Sequence, residues 1–165
     1  MSKVYRIGIL STDGPADAKS IFDAMLRAFA RRGYIPDRNM VLEIRASGIH
    51  TEQLPQLAKD LVASNVDVIL TFSFPAALAA KNATKTIPIV STEAGGDPVE
   101  TGLVRSLSRP GGNITGVSDM AIELAPKRLE LIKDMVPTVR TVAIDRKSTR
   151  LNSSHAIPSR MPSSA

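Results

Sequence analysis

The segment from residue 66 to residue 116 constrains the fold more than any other part of the sequence. It begins with the apolar run VDVIL, continues through an alanine-rich segment, and reaches a second apolar run, IPIV, before a glycine-rich turn. Short apolar runs that alternate with short helices are typical of β-α-β units, whose strands lie parallel in one sheet. The segment therefore predicts an α/β fold.

The remainder of the chain repeats this alternation. Apolar runs predict strands at residues 4–10, 41–45, 66–71, 87–90 and 114–117. Apolar residues at helical spacing predict helices at residues 16–32, 52–64, 75–83 and 125–135. We predict a doubly wound parallel sheet, in which the first helix buries Ile21, Met25, Leu26 and Phe29.

Three further local features follow from the same pattern. Gly33 is predicted to end the first helix in a left-handed conformation. Residues 91–98 are predicted to be a loop, and residues 102–107 to form one or two helical turns before the Arg109–Pro110 stop. An isolated strand is predicted at residues 141–144.

Composition disfavours several classes of protein. The chain has no Cys, which excludes disulfides, thiolate nucleophiles and zinc–thiolate sites. Its net charge of +5 does not indicate nucleic-acid binding, because four of the 21 basic residues follow Asp145, which leaves 17 basic against 16 acidic residues before that point. No apolar run approaches the roughly 20 residues that a membrane span requires, so we expect no direct membrane insertion.

Catalytic motifs are scarce in this sequence. His50 and His155 are the two histidines, and no phosphate-binding loop, nucleophile elbow or dinucleotide fingerprint follows a predicted strand. We therefore predict no catalytic residues, no metal site and no cofactor. A small α/β enzyme that uses Asp13, Glu93 or Asp97 remains an alternative.

The predicted carboxyl ends of the strands carry the residues best suited to bind a ligand, because these ends line the crevice of an open parallel sheet. Ser73 opens the third helix, where its hydroxyl either caps the helix or yields that position to a bound anion. Of Phe72 and Phe74, one is expected in the core and the other at the crevice. Asp97 precedes a proline and is predicted to cap the short helix that follows, a role compatible with receiving a ligand ammonium group.

Several separated motifs resemble one family. The segments are RIGIL, GYIPDRN, LPQLAKDLVASNVDVIL, AAKNATKTIPIV, GDPVETGLVRSLSRPGGNITGVS and KRLELIKDMVPTV. In this order they resemble the substrate-binding proteins of ABC transporters of the tryptophan/tyrosine type, across residues 5–144. The resemblance implies a type I periplasmic-binding-protein fold with flavodoxin-like strand order in each sheet. In this fold two α/β lobes close on a small organic ligand, such as an aromatic amino acid, and deliver it to an ABC permease outside the cytoplasm.

The resemblance also implies which positions face the ligand. They follow the first, third and fourth strands, and they are Ser11, Thr12, Asp13, Phe72, Ser73, Phe74, Ser91, Thr92 and Asp97. A ligand-sensing domain of a regulator or receptor is the alternative with the same fold, although it requires a DNA-binding or signalling module that the sequence does not show.

The chain departs from this family at both ends. It is shorter than family members and has neither a signal peptide nor a lipid-anchoring Cys, so we expect an incomplete second lobe and weak ligand binding. We predict a ligand-binding lobe at residues 1–118 and a crossover with the start of the second lobe at 119–145. Residues 146–165 contain six Ser, two Pro and no acid, and are predicted to be a disordered tail, either a basic extension or non-native read-through.

Overall fold

The computed structural model describes residues 3–14, 16, 19–93, 95–118 and 121–142. Strands and helices alternate along the first part of the chain, as the sequence predicts. The strands are β1 (Tyr5–Ser11), β2 (Met40–Ala46), β3 (Val68–Phe72), β4 (Ile89–Glu93) and β5 (Ile114–Gly116). The helices are α1 (Lys19–Arg31), α2 (Leu54–Ala63, preceded by a 3₁₀ turn at Thr51–Gln53), α3 (Phe74–Ala83) and α4 (Ala121–Met135).

The five strands form one parallel sheet in the order β2-β1-β3-β4-β5. This is the flavodoxin-like order in which the chain runs outwards from β1 first to one side and then to the other. The prediction of an α/β doubly wound sheet is confirmed. Because all strands are parallel, their carboxyl ends lie at the same edge.

One face of the sheet packs against α2 and α3. Leu10, Ile69 and Ile89 point to this face and lie in one cluster with Leu54 and Leu61 of α2. The alanines of α3 complete the cluster: Ala76, Ala77 and Ala80 are fully buried. Small side chains let the axis of α3 approach the sheet closely, which explains why a helix without large apolar residues on its buried face packs well here.

The opposite face carries α1, and here one of the four predicted core residues is wrong. Phe22 is the buried residue of α1, with 5% of its surface exposed, whereas the predicted core residue Ile21 is 46% exposed. Met25, Leu26 and Phe29 are half-buried, and they follow Phe22 at the i+3, i+4 and i+7 spacing of one helix face. The ring of Phe22 stacks on Phe72 of β3.

Gly33 ends α1 as predicted. It has a φ of 84°, and its N–H donates to the Ala30 carbonyl while the Tyr34 N–H donates to the Phe29 carbonyl. These two bonds form a Schellman motif, and the Phe29 and Tyr34 rings make the apolar contact that accompanies it, with centroids 6.5 Å apart.

Two other local predictions are wrong. Strand β4 continues through Ser91 to Glu93, where a loop was predicted, because these residues pair with β3. Residues 102–107 contain no helix; the single helical turn lies earlier, where the Thr101 N–H donates to the Asp97 carbonyl. Of the strand predicted at residues 141–144, Thr141 and Val142 have no regular structure and the other two residues lie outside the described part of the chain.

Contacts divide the chain into two units, Met1–Lys127 and Arg128–Ala165, and α4 runs across the division. The domain boundaries predicted at residues 118 and 145 stay predictions, and the predicted tail at 146–165 lies outside the described residues. Within the described ranges, no helix is both long and apolar enough to cross a bilayer.

Candidate functional site

The ends of three adjacent strands come together at the carboxyl edge of the sheet. Ser11 at the end of β1 pairs with Phe72 at the end of β3, and Phe72 pairs with Glu93 at the end of β4. The register shifts between Thr71 and Phe72, which marks a β-bulge at the edge itself. The residues that follow these three strands therefore lie side by side.

The end of β1 is a tight turn built on Ser11. The Ser11 side chain is buried and its Oγ accepts a hydrogen bond from the Asp13 N–H, with the two atoms 2.8 Å apart. The Ser11 carbonyl accepts from the Ser47 N–H beyond β2. Ser11 thus shapes the turn, while Thr12 and Asp13 are half-buried at the edge.

Ser73 occupies the N-cap position of α3 in an unusual backbone conformation. Its φ of 116° and ψ of 153° fall in a region that residues other than glycine rarely adopt. The Ser73 carbonyl accepts from the Ala77 N–H and so begins the helix. The Ser73 hydroxyl, however, makes no capping hydrogen bond, and it is buried without a partner among the described residues. Of the two roles predicted for this residue, side-chain capping is therefore not the one the structure shows.

Phe72 and Phe74 flank Ser73, and both are half-buried. The Phe72 ring stacks on Phe22 of α1 with centroids 5.7 Å apart and planes inclined by 23°. Phe74 packs against the cluster between the sheet and α3, and its Cβ lies close to Gly95. The Phe72 ring is thus held on the face that α1 covers, and Phe74 is held on the face that α2 and α3 cover.

The end of β4 and the loop after it supply the third group. The Ser91 side chain is only 3% exposed, whereas the Thr92 hydroxyl donates to the Thr71 carbonyl at 3.1 Å. Asp97 Oδ1 accepts from the Val99 N–H at 2.6 Å and from the Glu100 N–H at 3.4 Å. Asp97 therefore caps the helical turn after it, as predicted, although that turn is shorter than the predicted helix.

Other groups offer little chemistry. His50 is exposed and lies 3.1 Å from Glu52, and Glu93 is exposed at the end of β4. No three His, Cys, Asp or Glu side chains in the described ranges converge in a way that can hold a metal ion. The carboxyl edge instead offers hydroxyls, one helix N-terminus and two aromatic rings. It also offers the carboxylates of Asp97, which caps a helical turn, and of Asp13, whose N–H is bound in the turn after β1. These groups suit recognition of a small polar ligand.

Two residues near this edge escaped the sequence analysis. Phe22 holds one of the aromatic rings of the edge, and its helical spacing to Met25, Leu26 and Phe29 was a signal that could have found it. Thr71 is fully buried and its hydroxyl has no partner in the described structure, a fact that only packing can show.

Comparison with known proteins agrees with this fold. The family model for ABC transporter substrate binding proteins matches residues 7–159, and the chain belongs to this family. The matched range extends into the segment predicted as a non-native tail.

Individual relatives are consistent with the family. The chain is 36% identical over 129 residues to a tyrosine-binding protein of Clostridioides difficile (strain R20291), a match that covers 78% of this chain and 36% of that protein. It superposes with a TM-score of 0.72 and 33% identity on a conserved domain protein from Vibrio cholerae, covering 83% of this chain and 45% of the other. It also superposes on a Streptococcus pneumoniae ABC domain in complex with L-Trp, with a TM-score of 0.72, 30% identity, and coverage of 84% and 45%.

The chain thus spans about a third of the curated relative and just under half of these solved structures. The family membership confirms the predicted resemblance, and the curated relative is named as a tyrosine-binding protein.

Proposed function

We propose that this chain provides one wall of the cleft of an ABC-importer solute-binding protein, which captures an aromatic amino acid of the tyrosine or tryptophan class without altering it. The proposal is supported by family membership and by the relatives, one of which is named for tyrosine and another solved with L-Trp. In the same proposal, the protein acts outside the cytoplasm and passes its ligand to an ABC permease.

The N-terminus of α3 is the proposed site for the ligand carboxylate. The first N–H groups of a helix have no acceptor within it, and the helix dipole adds partial positive charge there. The Ser73 hydroxyl at this terminus is buried and unpartnered, so contact with a carboxylate requires the side chain to turn towards the edge when the ligand binds. Its strained backbone conformation is of the kind found at ligand sites. This orphan hydroxyl at a helix N-terminus is the observation that carries the proposal.

The remaining residues of the edge complete the proposed site. Thr12 and Thr92 supply hydroxyls, Asp13 or Asp97 faces the ligand ammonium group, and Phe72 and Phe74 supply an apolar surface for the aromatic ring. Ser11 and Ser91 are buried too deeply to touch a ligand over much of their surface, so we propose that they shape the edge from behind.

Calorimetry with tryptophan on a chain extended to the length of the relatives tests this assignment. Ser73→Ala should weaken tryptophan binding by about tenfold, because the variant loses a hydrogen bond to a charged group. Ser64→Ala is a matched control: its hydroxyl donates to the Asp60 carbonyl at the end of α2, far from the carboxyl edge, and its loss should leave the affinity unchanged.

A second ligand separates a carboxylate contact from a general structural effect. Tryptamine keeps the indole ring and the ammonium group of tryptophan but lacks the carboxylate, so the Ser73→Ala variant and the unsubstituted protein should bind it equally weakly. Equal tryptophan affinity in the two proteins would contradict the proposed carboxylate site.

A further inference from the structure

Two buried hydroxyls lie next to each other on the neighbouring strands β3 and β4, close to the carboxyl edge of the sheet. Thr71 of β3 and Ser91 of β4 are register partners, so their side chains project from the same face, the one that α3 covers. Thr71 is fully buried and Ser91 is 3% exposed. Neither hydroxyl has a hydrogen-bond partner among the described residues, and they do not bond to each other.

Such a pair is energetically unfavourable unless something bridges it. A buried hydroxyl that loses its bonds to water and gains none in the protein destabilises the folded state. Both hydroxyls can donate as well as accept, so a group that does both satisfies the pair.

The spacing of the strands fits a single water molecule. Neighbouring strands lie about 4.8 Å apart. A water that makes two hydrogen bonds of about 2.8 Å can span two side chains at that separation.

There is also room beside Ser91. Ser91 lines a cavity of about 80 Å³ between β4, β5 and the segment that follows Asp97. The other walls are largely apolar, with Leu103, Val104 and Ile114 among them. A buried water requires only about 10–15 Å³ and two or more polar partners, so the polar end of this cavity can hold one while its apolar end stays dry.

We propose that Thr71 and Ser91 hold one buried water molecule that links β3 to β4 beneath the first turn of α3. Ser73, which begins α3, lies two residues after Thr71, so the water fixes the position from which the helix leaves the sheet. The inference concerns the folded chain itself and does not depend on the identity of any ligand.

A double-mutant cycle on the 165-residue chain tests the proposal through the direction in which each substitution changes the folding equilibrium constant. If the water is present, Thr71→Val and Ser91→Ala each leave it with one partner fewer, and each should lower the folding equilibrium constant by about two- to tenfold in urea denaturation. The double variant, which removes the whole site, should lose less than the product of the two single effects. Single variants that are as stable as the original chain, or more stable, would overturn the proposal, because removing truly unpartnered hydroxyls relieves a cost.

Thr84→Val provides the matched control. Thr84 is also buried, and its hydroxyl accepts from the Thr86 and Ile87 N–H groups, both at 3.2 Å. Its replacement removes a hydroxyl with known partners, so it calibrates the loss expected for a satisfied group.

A high-resolution crystal structure provides an independent measurement that does not depend on how the variants fold. It should show a density peak within hydrogen-bond distance of both Thr71 Oγ1 and Ser91 Oγ. A direct hydrogen bond between the two hydroxyls, or no density between them, would rule the water out.

Discussion

Ser73 shows at the scale of one residue how the carboxyl edge is built. Its φ of 116° carries a side chain into a region that glycine alone adopts easily, and such residues cost about 1–3 kcal/mol each. The hydroxyl gains no hydrogen bond that offsets this cost. A strained residue whose hydroxyl has no partner in the described structure agrees with the proposed role of Ser73 in binding.

We expect Ser73→Gly to be more stable than Ser73→Ala by about 2 kcal/mol. Both variants remove the hydroxyl, but only glycine also removes the Cβ that makes this backbone conformation unfavourable. Urea denaturation of the two variants measures the difference. Glycine is already preferred to alanine at an ordinary N-cap by about 1 kcal/mol, so a difference no larger than that would contradict the strain.

Asp67 links the start of β3 to β1. Its Oδ2 accepts from the Arg6 N–H at 2.8 Å, and its Oδ1 lies 2.9 Å from the Lys3 Nζ. The hydrogen bond from the Arg6 backbone, followed by that from Lys3, holds the pKa of the Asp67 carboxyl below its usual value. A carboxyl whose pKa is lowered by folding stabilises the folded state above its unfolded pKa and loses that contribution as the pH falls through the folded pKa.

The stability difference between the original chain and Asp67→Asn should therefore depend on pH. The original chain should be the more stable at neutral pH. This advantage should shrink as the pH falls below the ordinary carboxyl pKa of about 3.9 and through the lower pKa of Asp67 in the folded chain. Denaturation curves at a series of pH values measure this. A difference that stays constant into the acid range would show that the two hydrogen bonds do not favour the charged form.

At the scale of elements, the two faces of the sheet are covered very differently. Helices α2 and α3 share a continuous cluster with β3 and β4, whereas α1 buries one side chain, Phe22. The attachment of α1 to the sheet therefore rests heavily on the Phe22–Phe72 stack.

Phe22→Ala should destabilise the chain by about 3 kcal/mol, because it removes both the buried ring and its aromatic contact. Ile21→Ala is the control, since Ile21 lies beside it in α1 and is 46% exposed; its loss should cost well under 1 kcal/mol. Chemical denaturation measures both values. Hydrogen exchange should also accelerate across α1 in the Phe22 variant, and equal effects of the two substitutions would contradict this packing.

At the scale of the whole molecule, this chain spans just under half of the solved relatives. A ligand that is enclosed from two sides loses much of its contact area when one side is missing. We expect the 165-residue chain to bind tryptophan or tyrosine far more weakly than a chain of the relatives' length. Calorimetry on both chains measures the ratio, and micromolar binding by the 165-residue chain would show that one wall is sufficient.

Much of this fold followed from local patterns. The alternation of apolar runs and helical segments predicted the five-stranded parallel sheet, and Gly33 and Asp97 marked a helix end and a cap. The predicted site residues gather at one edge because parallel strands all end there. Their individual roles did not follow: Ser91 lies in a strand rather than in a loop, and the Ser73 hydroxyl does not cap its helix.

The sequence by itself determined the class of fold and the edge at which we propose a ligand site, because apolar spacing sets each strand and helix locally and parallel strands all end at one edge. Tertiary structure decided that the Phe22 ring stacks on Phe72, how far β4 extends, and which hydroxyls lose their partners. Those outcomes depend on contacts between segments far apart in sequence, such as Phe22 with Phe72 and Thr71 with Ser91, and no local pattern encodes them.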